Sequence, residues 1–295
     1  MIRAACGPDG APTFESSVNG ISIYLDHFAI KTFAKANNPL RQRFIAALHN
    51  GADLLFSVAN SLEICGAQGD SAATIKAFLD ELGSHWYPVE FSPHLVMDRE
   101  KAGAMPSRAC FAEELLRAFF TDRTSGYTAG SGKVINLYAD EFFKLGSFVD
   151  WLAPQRDHFR QQIKEFDDTL TTIVAKLRAK HKANPGWLDG ALPTPIYNSQ
   201  TPAKFAHDCL LRELIRDFGF QIKKGDAMDF CHAVMASSFG VFGTLDKHWK
   251  RRVENFPKPN RTARIYYEQE LEKMMTDIES ALDQMKRGVS PITIA

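Results

Sequence analysis

Apolar residues along the chain form two kinds of pattern, short continuous runs and longer stretches with helical periodicity. The continuous runs predict buried strands over residues 21–25, 52–58 and 86–91. The periodic stretches between them predict helices over residues 39–49, around 62–64 and over 71–82. Because proline has no N–H to donate, Pro88 restricts the third strand to a sheet edge. Strands that alternate with helices predict an α/β fold, a parallel sheet with helices on both faces.

The middle of the chain is rich in charged residues with helical spacing. It predicts helices over residues 111–120, 142–152, 159–178 and 205–218, and a loop over 184–202. Since no strand pattern interrupts this segment, we interpret residues 102–220 as a large, mainly helical insertion into the α/β core.

The last third returns to alternating strands and helices. Gly225-Asp226 is expected to open a helix, residues 239–243 to form a short strand, and a further helix to start at Lys247. An amphipathic C-terminal helix is expected over residues 262–285, with Ile265 on its apolar face. The predicted organisation is a flexible arm (1–19), a first core part (20–101), the insertion (102–220), a second core part (221–256) and a helical tail (257–295).

The composition is that of an ordinary globular protein, with 295 residues of which 45% are hydrophobic and 24% charged. No apolar run approaches the roughly 20 residues needed to cross a bilayer. The opening segment contains Gly7, Pro8 and Pro12 and lacks the apolar centre of a signal peptide. We therefore expect a cytoplasmic protein with no membrane partner.

The charges and cysteines exclude further classes of protein. The 35 basic and 35 acidic residues cancel, so nucleic-acid binding would require a local basic patch. The five cysteines are an odd number without a CxxC pair, which favours reduced thiols over a disulfide framework or a structural zinc site. They are Cys6, Cys65, Cys110, Cys209 and Cys231.

Several acids occupy predicted strand ends or helix starts, where ligands of parallel sheets bind. They are Asp26, Glu63, Asp226, Asp229 and Asp246. Each also has a structural interpretation, because Asp26, Asp226 and Asp246 are placed to cap helices. Asp229 suits a helix dipole, and Glu63 a solvated helix surface. Carboxylates gathered in one crevice would instead require a cation, and hard oxygen ligands suit Mg²⁺ or Mn²⁺.

Taken together, four short segments resemble the PIN-domain nucleases, in particular the larger bacterial type. The segments are Ile23-Tyr24-Leu25-Asp26, Ser61-Leu62-Glu63, Asp229-Phe-Cys-His232-Ala and Phe242-Gly-Thr244-Leu-Asp246-Lys247. Their order, their placement at strand ends and the 17-residue step from Asp229 to Asp246 carry the resemblance. It covers about residues 20–100 and 221–256, and it implies a PIN-like sheet with a metal-dependent nuclease site.

The resemblance also implies roles for individual residues. The catalytic, metal-binding pocket would consist of Asp26, Glu63, Asp229 and Asp246, with Asp226 as a further acid at its rim. Thr244 would orient a carboxylate or a metal-bound water through its hydroxyl. His232 is either a neighbour of this pocket or a packed helix histidine. Phe28 departs from the family pattern, because many PIN domains have a small polar residue two positions after the first Asp.

A basic cluster directly follows Asp246 and is the best candidate for binding nucleic acid. It comprises Lys247, Trp249, Lys250, Arg251 and Arg252, whose cations would hold phosphates while the indole stacks on a base. The alternative is a solvated helix surface with Trp249 packed inward. A second basic segment over residues 176–182 suits a helix C-terminus equally well. The glycine-rich run at 126–134 lacks phosphate-loop spacing, and we interpret it as a turn.

The sequence thus predicts a hydrolase that cleaves phosphodiester bonds at an acidic Mg²⁺ or Mn²⁺ site. The resemblance favours RNA over DNA. Two alternatives stay open, a structure-specific DNA nuclease and a non-catalytic PIN-like module that binds RNA or serves assembly. The insertion would shape a substrate channel or a homo-oligomer contact, and in the toxin-like branch of the family an inhibitor protein covers the pocket.

Overall fold

A five-stranded parallel sheet is the centre of the structure, a computed structural model that describes residues 2–6, 12–18, 20–64, 70–123, 135–136 and 143–288. The described strands are β1 (Ile2–Cys6), β2 (Pro12–Ser16), β3 (Ile21–Tyr24), β4 (Ala52–Ser57), β5 (Trp86–Val89), β6 (Ile135–Asn136), β7 (Phe242–Thr244) and β8 (Arg264–Tyr266).

Helices surround this sheet and make up most of the insertion. Those within the described residues are α1 (His27–Ala34), α2 (Pro39–His49), α3 (Val58–Ile64), α4 (Asp70–Leu82), α5 (Pro93–Lys101), α6 (Pro106–Ala109), α7 (Glu113–Arg123), α8 (Leu145–Leu152), α9 (Arg156–Ala183), α10 (Trp187–Ala191), α11 (Pro202–Arg216), α12 (Asp226–Phe239), α13 (Lys247–Glu254) and α14 (Leu271–Lys286).

The strand order of the central sheet is β5-β4-β3-β7-β8, which makes β3 and β7 neighbours although the whole insertion separates them in sequence. Ile23 on β3 pairs with Leu54 on one side and Phe242 on the other. Because all pairings are parallel, the carboxyl ends of the strands share one edge. This confirms the α/β fold with a parallel sheet flanked by helices, and it brings residues 25–26 and 245–246 to the same edge.

The two edge strands of this sheet, β5 and β8, differ in how well the sequence predicted them. β5 is an edge strand, as Pro88 predicts. β8, the opposite edge, corrects the predicted C-terminal helix over residues 262–285. Ile265 lies in this strand rather than on the helix, which begins only at Leu271. Its pairing with Gly243 of β7 decides the strand conformation.

The polar N-terminal segment, for which a flexible arm is expected, contains two strands. β1 pairs antiparallel with β2 and with β6 to form a second, three-stranded sheet. The strands have apolar anchors, since Ile2 and Phe14 are buried and the Phe14 ring packs edge-on against Phe120. Two apolar side chains in a polar stretch thus join the core from this hairpin.

Residues 102–220 are mostly helical where they are described, and they pack against the core. The Trp86 indole of β5 stacks on Phe143 with ring centroids 4.5 Å apart and donates to its carbonyl oxygen at 2.9 Å. The glycine-rich run at 126–134 and Phe142 lie outside the described residues. Of the helices that the structure describes, none is both long and apolar enough to cross a membrane, including the 28-residue α9.

The cysteines with described side chains are free and buried, as expected for reduced thiols. They are Cys110, Cys209 and Cys231. Burial raises the pKa of each thiol above its ordinary value, which leaves these sulfurs protonated and unreactive. The side chains of Cys6 and Cys65 lie outside the described residues.

Candidate functional site

Asp26 and Thr244 meet where β3 and β7 end side by side. Asp26 caps α1, and its Oδ1 accepts hydrogen bonds from the Ala29 N–H at 3.0 Å and from the Thr244 hydroxyl at 2.9 Å. In return, the Asp26 N–H donates to Thr244 Oγ1 at 2.8 Å. Burial raises the pKa of Asp26, although both hydrogen bonds to Oδ1 oppose the shift. The capping role considered from the sequence is present, and the Thr244 hydroxyl contacts the same carboxylate.

Asp246 follows two residues after Thr244 and is exposed to solvent. It caps α13, because its Oδ1 accepts from the Trp249 N–H at 2.8 Å. Its second oxygen, Oδ2, has no hydrogen-bond partner among the described residues. One oxygen of Asp246 thus caps a helix, in a residue that is exposed to solvent.

Glu63 on α3 and His232 on α12 form an ion pair in the interior. Glu63 Oε2 lies 3.2 Å from His232 Nε2, and only 3% of the histidine side chain is exposed. Neither atom has a well-aligned hydrogen-bond partner in the described structure. Burial alone would raise the pKa of Glu63 and lower that of His232. Their mutual attraction reverses both effects, so the pKa of Glu63 lies below and that of His232 above its ordinary value.

A chain of buried hydrogen bonds continues from the other nitrogen of this histidine. His232 Nδ1 lies 2.6 Å from the Tyr24 hydroxyl, which lies 3.1 Å from Ser57 Oγ. Ser57 Oγ donates to Asn60 Oδ1 at 3.0 Å, and Asn60 Nδ2 donates to the Leu25 carbonyl at 2.8 Å. The chain joins β3, β4, α3 and α12, the elements that carry or adjoin the acids. His232 is therefore both a packed histidine and a neighbour of the pocket.

Asp229, one turn before His232 on α12, has a strongly perturbed carboxylate. Its pKa is raised from 3.8 to about 7, first by burial. His232 opposes this shift, and three neighbouring acids add to it: Asp246, Glu63 and Asp226. Glu63 likewise raises the pKa of Asp26. The sequence-predicted acids therefore lie close enough together to interact electrostatically.

The insertion holds α12 in place through Asp167, a buried residue of α9. Its carboxylate accepts from the Gly225 N–H at 3.1 Å and from the Ala227 N–H at 3.1 Å, at the start of α12. Gly225 has φ of 100°, a conformation that favours glycine at this turn. Sequence reasoning missed Asp167, because a contact between distant segments leaves no local signal.

The basic cluster after Asp246 is only partly available to a ligand. Trp249 is 2% exposed and packs edge-on against Phe220 and Phe230, so it cannot stack on a base. Arg252 is also buried, where it pairs with Asp217 at 2.9 Å and lies over the Phe220 ring. Both were expected to contact nucleic acid, and both are corrected to packing roles. Both residues lie on the buried face of α13. For Trp249 this is the alternative considered from the sequence, in which the indole packs inward.

The other cations of the cluster differ in their surroundings. Lys250 pairs with Glu254 and Glu270, whereas Lys247 and Arg251 are exposed. Arg251 lines a cavity of about 350 Å³ together with His248 and Arg216 of α11. Of the basic residues predicted to bind nucleic acid, Lys247 and Arg251 are therefore the ones exposed on α13.

The second basic segment is also partly structural. Arg178 on α9 donates four hydrogen bonds to backbone carbonyls at the end of α11, those of Leu214 (twice), Asp217 and Phe220. It thus satisfies carbonyl groups that a helix C-terminus leaves without partners.

Phe28, two positions after Asp26, and its neighbour His27 differ in their surroundings. Phe28 is 36% exposed on α1. Burial lowers the pKa of His27, although the charge of Glu63 opposes the shift, which shows that this imidazole lies within electrostatic reach of the acids. A polar ring near the acids thus lies next to the apolar Phe28 in sequence.

The acids supply hard oxygen donors, the ligand type that Mg²⁺ and Mn²⁺ prefer. Among the described residues, no three His, Cys, Asp or Glu side chains are arranged to hold a metal ion.

Comparisons with protein-family models, with curated proteins and with solved structures find no match to this chain. The functional argument therefore depends on the residues of the site itself.

Proposed function

We propose that this protein is a metal-dependent nuclease of the PIN-like type that hydrolyses phosphodiester bonds in RNA. The observation that carries the proposal is the electrostatic coupling of Asp229 with Asp246 and Glu63, at the edge where β3 and β7 end side by side. Functional sites of parallel sheets form at this edge, and strongly shifted carboxylates concentrate in such sites.

In this proposal Asp229 and Asp246 hold Mg²⁺ or Mn²⁺. A bound ion of this kind lowers the pKa of its water and stabilises charge on the phosphoryl group. Thr244 keeps the Asp26 carboxylate in one orientation, and Asp26 adds negative charge beside Glu63. A bound cation would favour the ionised form of Asp229, whose pKa is raised by burial and then by the neighbouring acids.

The exposed cations Lys247 and Arg251 supply contacts for phosphates next to the acids. Both belong to α13, the helix that starts directly after Asp246, so a strand bound along this helix passes the acidic site. The preference for RNA rests on the family resemblance, and a structure-specific DNA nuclease is the closest alternative.

A second candidate is a non-catalytic PIN-like module that binds RNA or serves assembly. The absence of a preformed three-ligand group among the described residues favours it. The four acids favour catalysis, because loss of activity would relax the selection that keeps several mutually repelling carboxylates in one place.

Cleavage of labelled single-stranded RNA, single-stranded DNA and a branched DNA separates these candidates. Purified protein is tested with Mn²⁺, with Mg²⁺ and with chelator, beside the variants Asp26→Asn and Asp246→Asn. Asp283→Asn, an exposed acid on α14, is the matched control. The nuclease predicts metal-dependent cleavage that the two site variants lose and the control retains. RNA binding without cleavage under all metal conditions would instead establish the binding module.

A further inference from the structure

Arginines from three helices gather around the C-terminal end of α11. Arg178 comes from α9, Arg216 from α11 itself, and both Arg251 and Arg252 from α13. The last three line the cavity of about 350 Å³ between α11 and α13, which we call the arginine cavity. Three guanidinium groups in one small cavity make it a candidate site for an anion.

The carboxylates in the wall of the arginine cavity do not balance this charge. They are Glu213 and Asp217, two acids against three arginines. Asp217 Oδ2 is paired with Arg252 at 2.9 Å, and Arg252 Nε is buried without a hydrogen-bond partner among the described residues. Arg251 is exposed and makes no ion pair in the part of the chain that the structure describes. The wall therefore retains positive charge for a ligand.

The end of α11 is itself prepared for a negative group. A helix C-terminus ordinarily repels anions, because its last carbonyl oxygens carry partial negative charge. Here Arg178 donates to the carbonyls of Leu214, Asp217 and Phe220, which brings a full positive charge to these oxygens. Burial lowers the pKa of Arg178, and the charge of Arg252 adds to the shift, so these two cations are close together.

Phe218 supplies an exposed aromatic ring at the same helix end. It directly follows Asp217, which lines the arginine cavity, and it is 52% exposed. Its ring lies parallel to the His181 imidazole, with an interplanar angle of 7° and ring centroids 5.8 Å apart. Exposed aromatic rings beside basic grooves are the means by which proteins bind single strands. Phe218 thus offers the stacking surface that the buried Trp249 does not.

We propose that the arginine cavity binds a phosphate of a single-stranded nucleic acid, and that Phe218 stacks on an adjacent base. The inference rests on the proposed function and deepens it, because it states where the strand continues beyond the acids. Arg251 lies five residues after Asp246, about 8 Å along the axis of α13. One strand can therefore contact Lys247 and the arginine cavity in succession, which favours a strand over a free anion.

Binding of labelled single-stranded RNA to the full chain in chelator, measured by fluorescence anisotropy, tests the proposal without cleavage. Phe218→Ala is expected to weaken binding about 5- to 150-fold, the range for one base stack, whereas Phe218→Trp should retain it. Arg216→Ala is expected to weaken binding and to reduce the slope of log affinity against log salt concentration by about 1. The ion pair of Arg216 with Asp189 is exposed, so its loss should leave the fold intact. Arg287→Ala and Met105→Ala, at exposed positions, are the controls.

Three results would overturn the inference. They are an unchanged affinity in Phe218→Ala, an unchanged salt slope in Arg216→Ala, and inorganic phosphate that binds the wild type as tightly as the RNA does. The last result would assign the arginine cavity to a free anion. Metal-dependent cleavage by a wild type whose RNA binding ignores both substitutions would refute this inference alone. A wild type that neither binds nor cleaves nucleic acid would refute the proposed function as well.

Discussion

The Thr244 hydroxyl donates to Asp26 Oδ1 at 2.9 Å while Thr244 Oγ1 accepts from the Asp26 N–H at 2.8 Å. This reciprocal pair joins two residues that are 218 positions apart in sequence. It fastens the end of β7 to the end of β3 and sets the orientation of a buried carboxylate. One threonine thus links the two core segments on either side of the insertion.

Replacing Thr244 tests this link. Thr244→Val removes both hydrogen bonds and leaves the Asp26 N–H without a partner, which costs about 1–3 kcal/mol. Thr244→Ser retains the hydroxyl and is expected to stay much closer to the wild type. Urea denaturation of the three proteins measures the free energy of unfolding. Equal stability of the Val and Ser variants would show that the pair contributes little.

The raised pKa of Asp229 makes stability depend on pH in a defined direction. The unfolded chain releases this proton near pH 3.8, whereas the folded metal-free protein holds it until about pH 7. Between these values the folded state binds more protons, so stability falls as pH rises, by at most about 1.4 kcal/mol per pH unit for this group. The loss is complete above about pH 7.

The variant Asp229→Asn isolates that effect. It cannot ionise, so its stability relative to the wild type is expected to increase from pH 4 to pH 8 in the presence of chelator. Thermal unfolding across this pH range measures the difference. A constant difference at all pH values would contradict the raised pKa, and added Mn²⁺ is expected to favour the wild type.

The contact between the insertion and α12 is tested through Asp167. Asp167→Ala removes the acceptor for the Gly225 and Ala227 N–H groups, and loss of such a helix cap costs about 0.5–2 kcal/mol. Asp168→Ala, an exposed neighbour on the same helix, is the matched control and should change stability little. Similar unfolding curves for the two variants would show that Asp167 does not support α12.

The two arginines at the end of α13 are expected to behave differently. Arg251→Ala should weaken binding of labelled single-stranded RNA. It should also reduce the slope of log affinity against log salt concentration by about 1, the effect of losing one phosphate contact. Arg252→Ala should chiefly lower stability, because this side chain is buried against Phe220 and paired with Asp217. Fluorescence anisotropy at several salt concentrations measures binding, with Arg287→Ala as the exposed control. An unchanged salt slope in Arg251→Ala would exclude the phosphate contact.

Local sequence predicted a strand or helix correctly in two situations. One is a residue with a strong backbone preference, and the other is a long stretch with helical periodicity. The edge position of β5 follows from Pro88, and the helix Pro39–His49 was predicted with the bounds that the structure has. β8 was missed, because three residues next to an amphipathic stretch fit a helical pattern equally well. Only pairing with β7 makes Ile265 part of a strand.

At the site, sequence identified acids by type and order but could not identify their partners. Tyr24 and His232 are 208 residues apart, and nothing local to either one signals their contact. Trp249 gave a misleading signal, since its basic neighbours suggested exposure. Trp249 and Val253 share one face of α13, a spacing of four that indicates burial.

The most direct test of the central proposal is the metal dependence of RNA cleavage by the wild type and Asp246→Asn. One labelled single-stranded RNA is incubated with each protein in chelator and then in excess Mn²⁺. The proposal predicts no cleavage in chelator, cleavage by the wild type once Mn²⁺ is in excess, and no cleavage by Asp246→Asn in either condition. A wild type that binds the RNA but leaves it intact in Mn²⁺, or equal cleavage by both proteins, would contradict a nuclease centred on these acids.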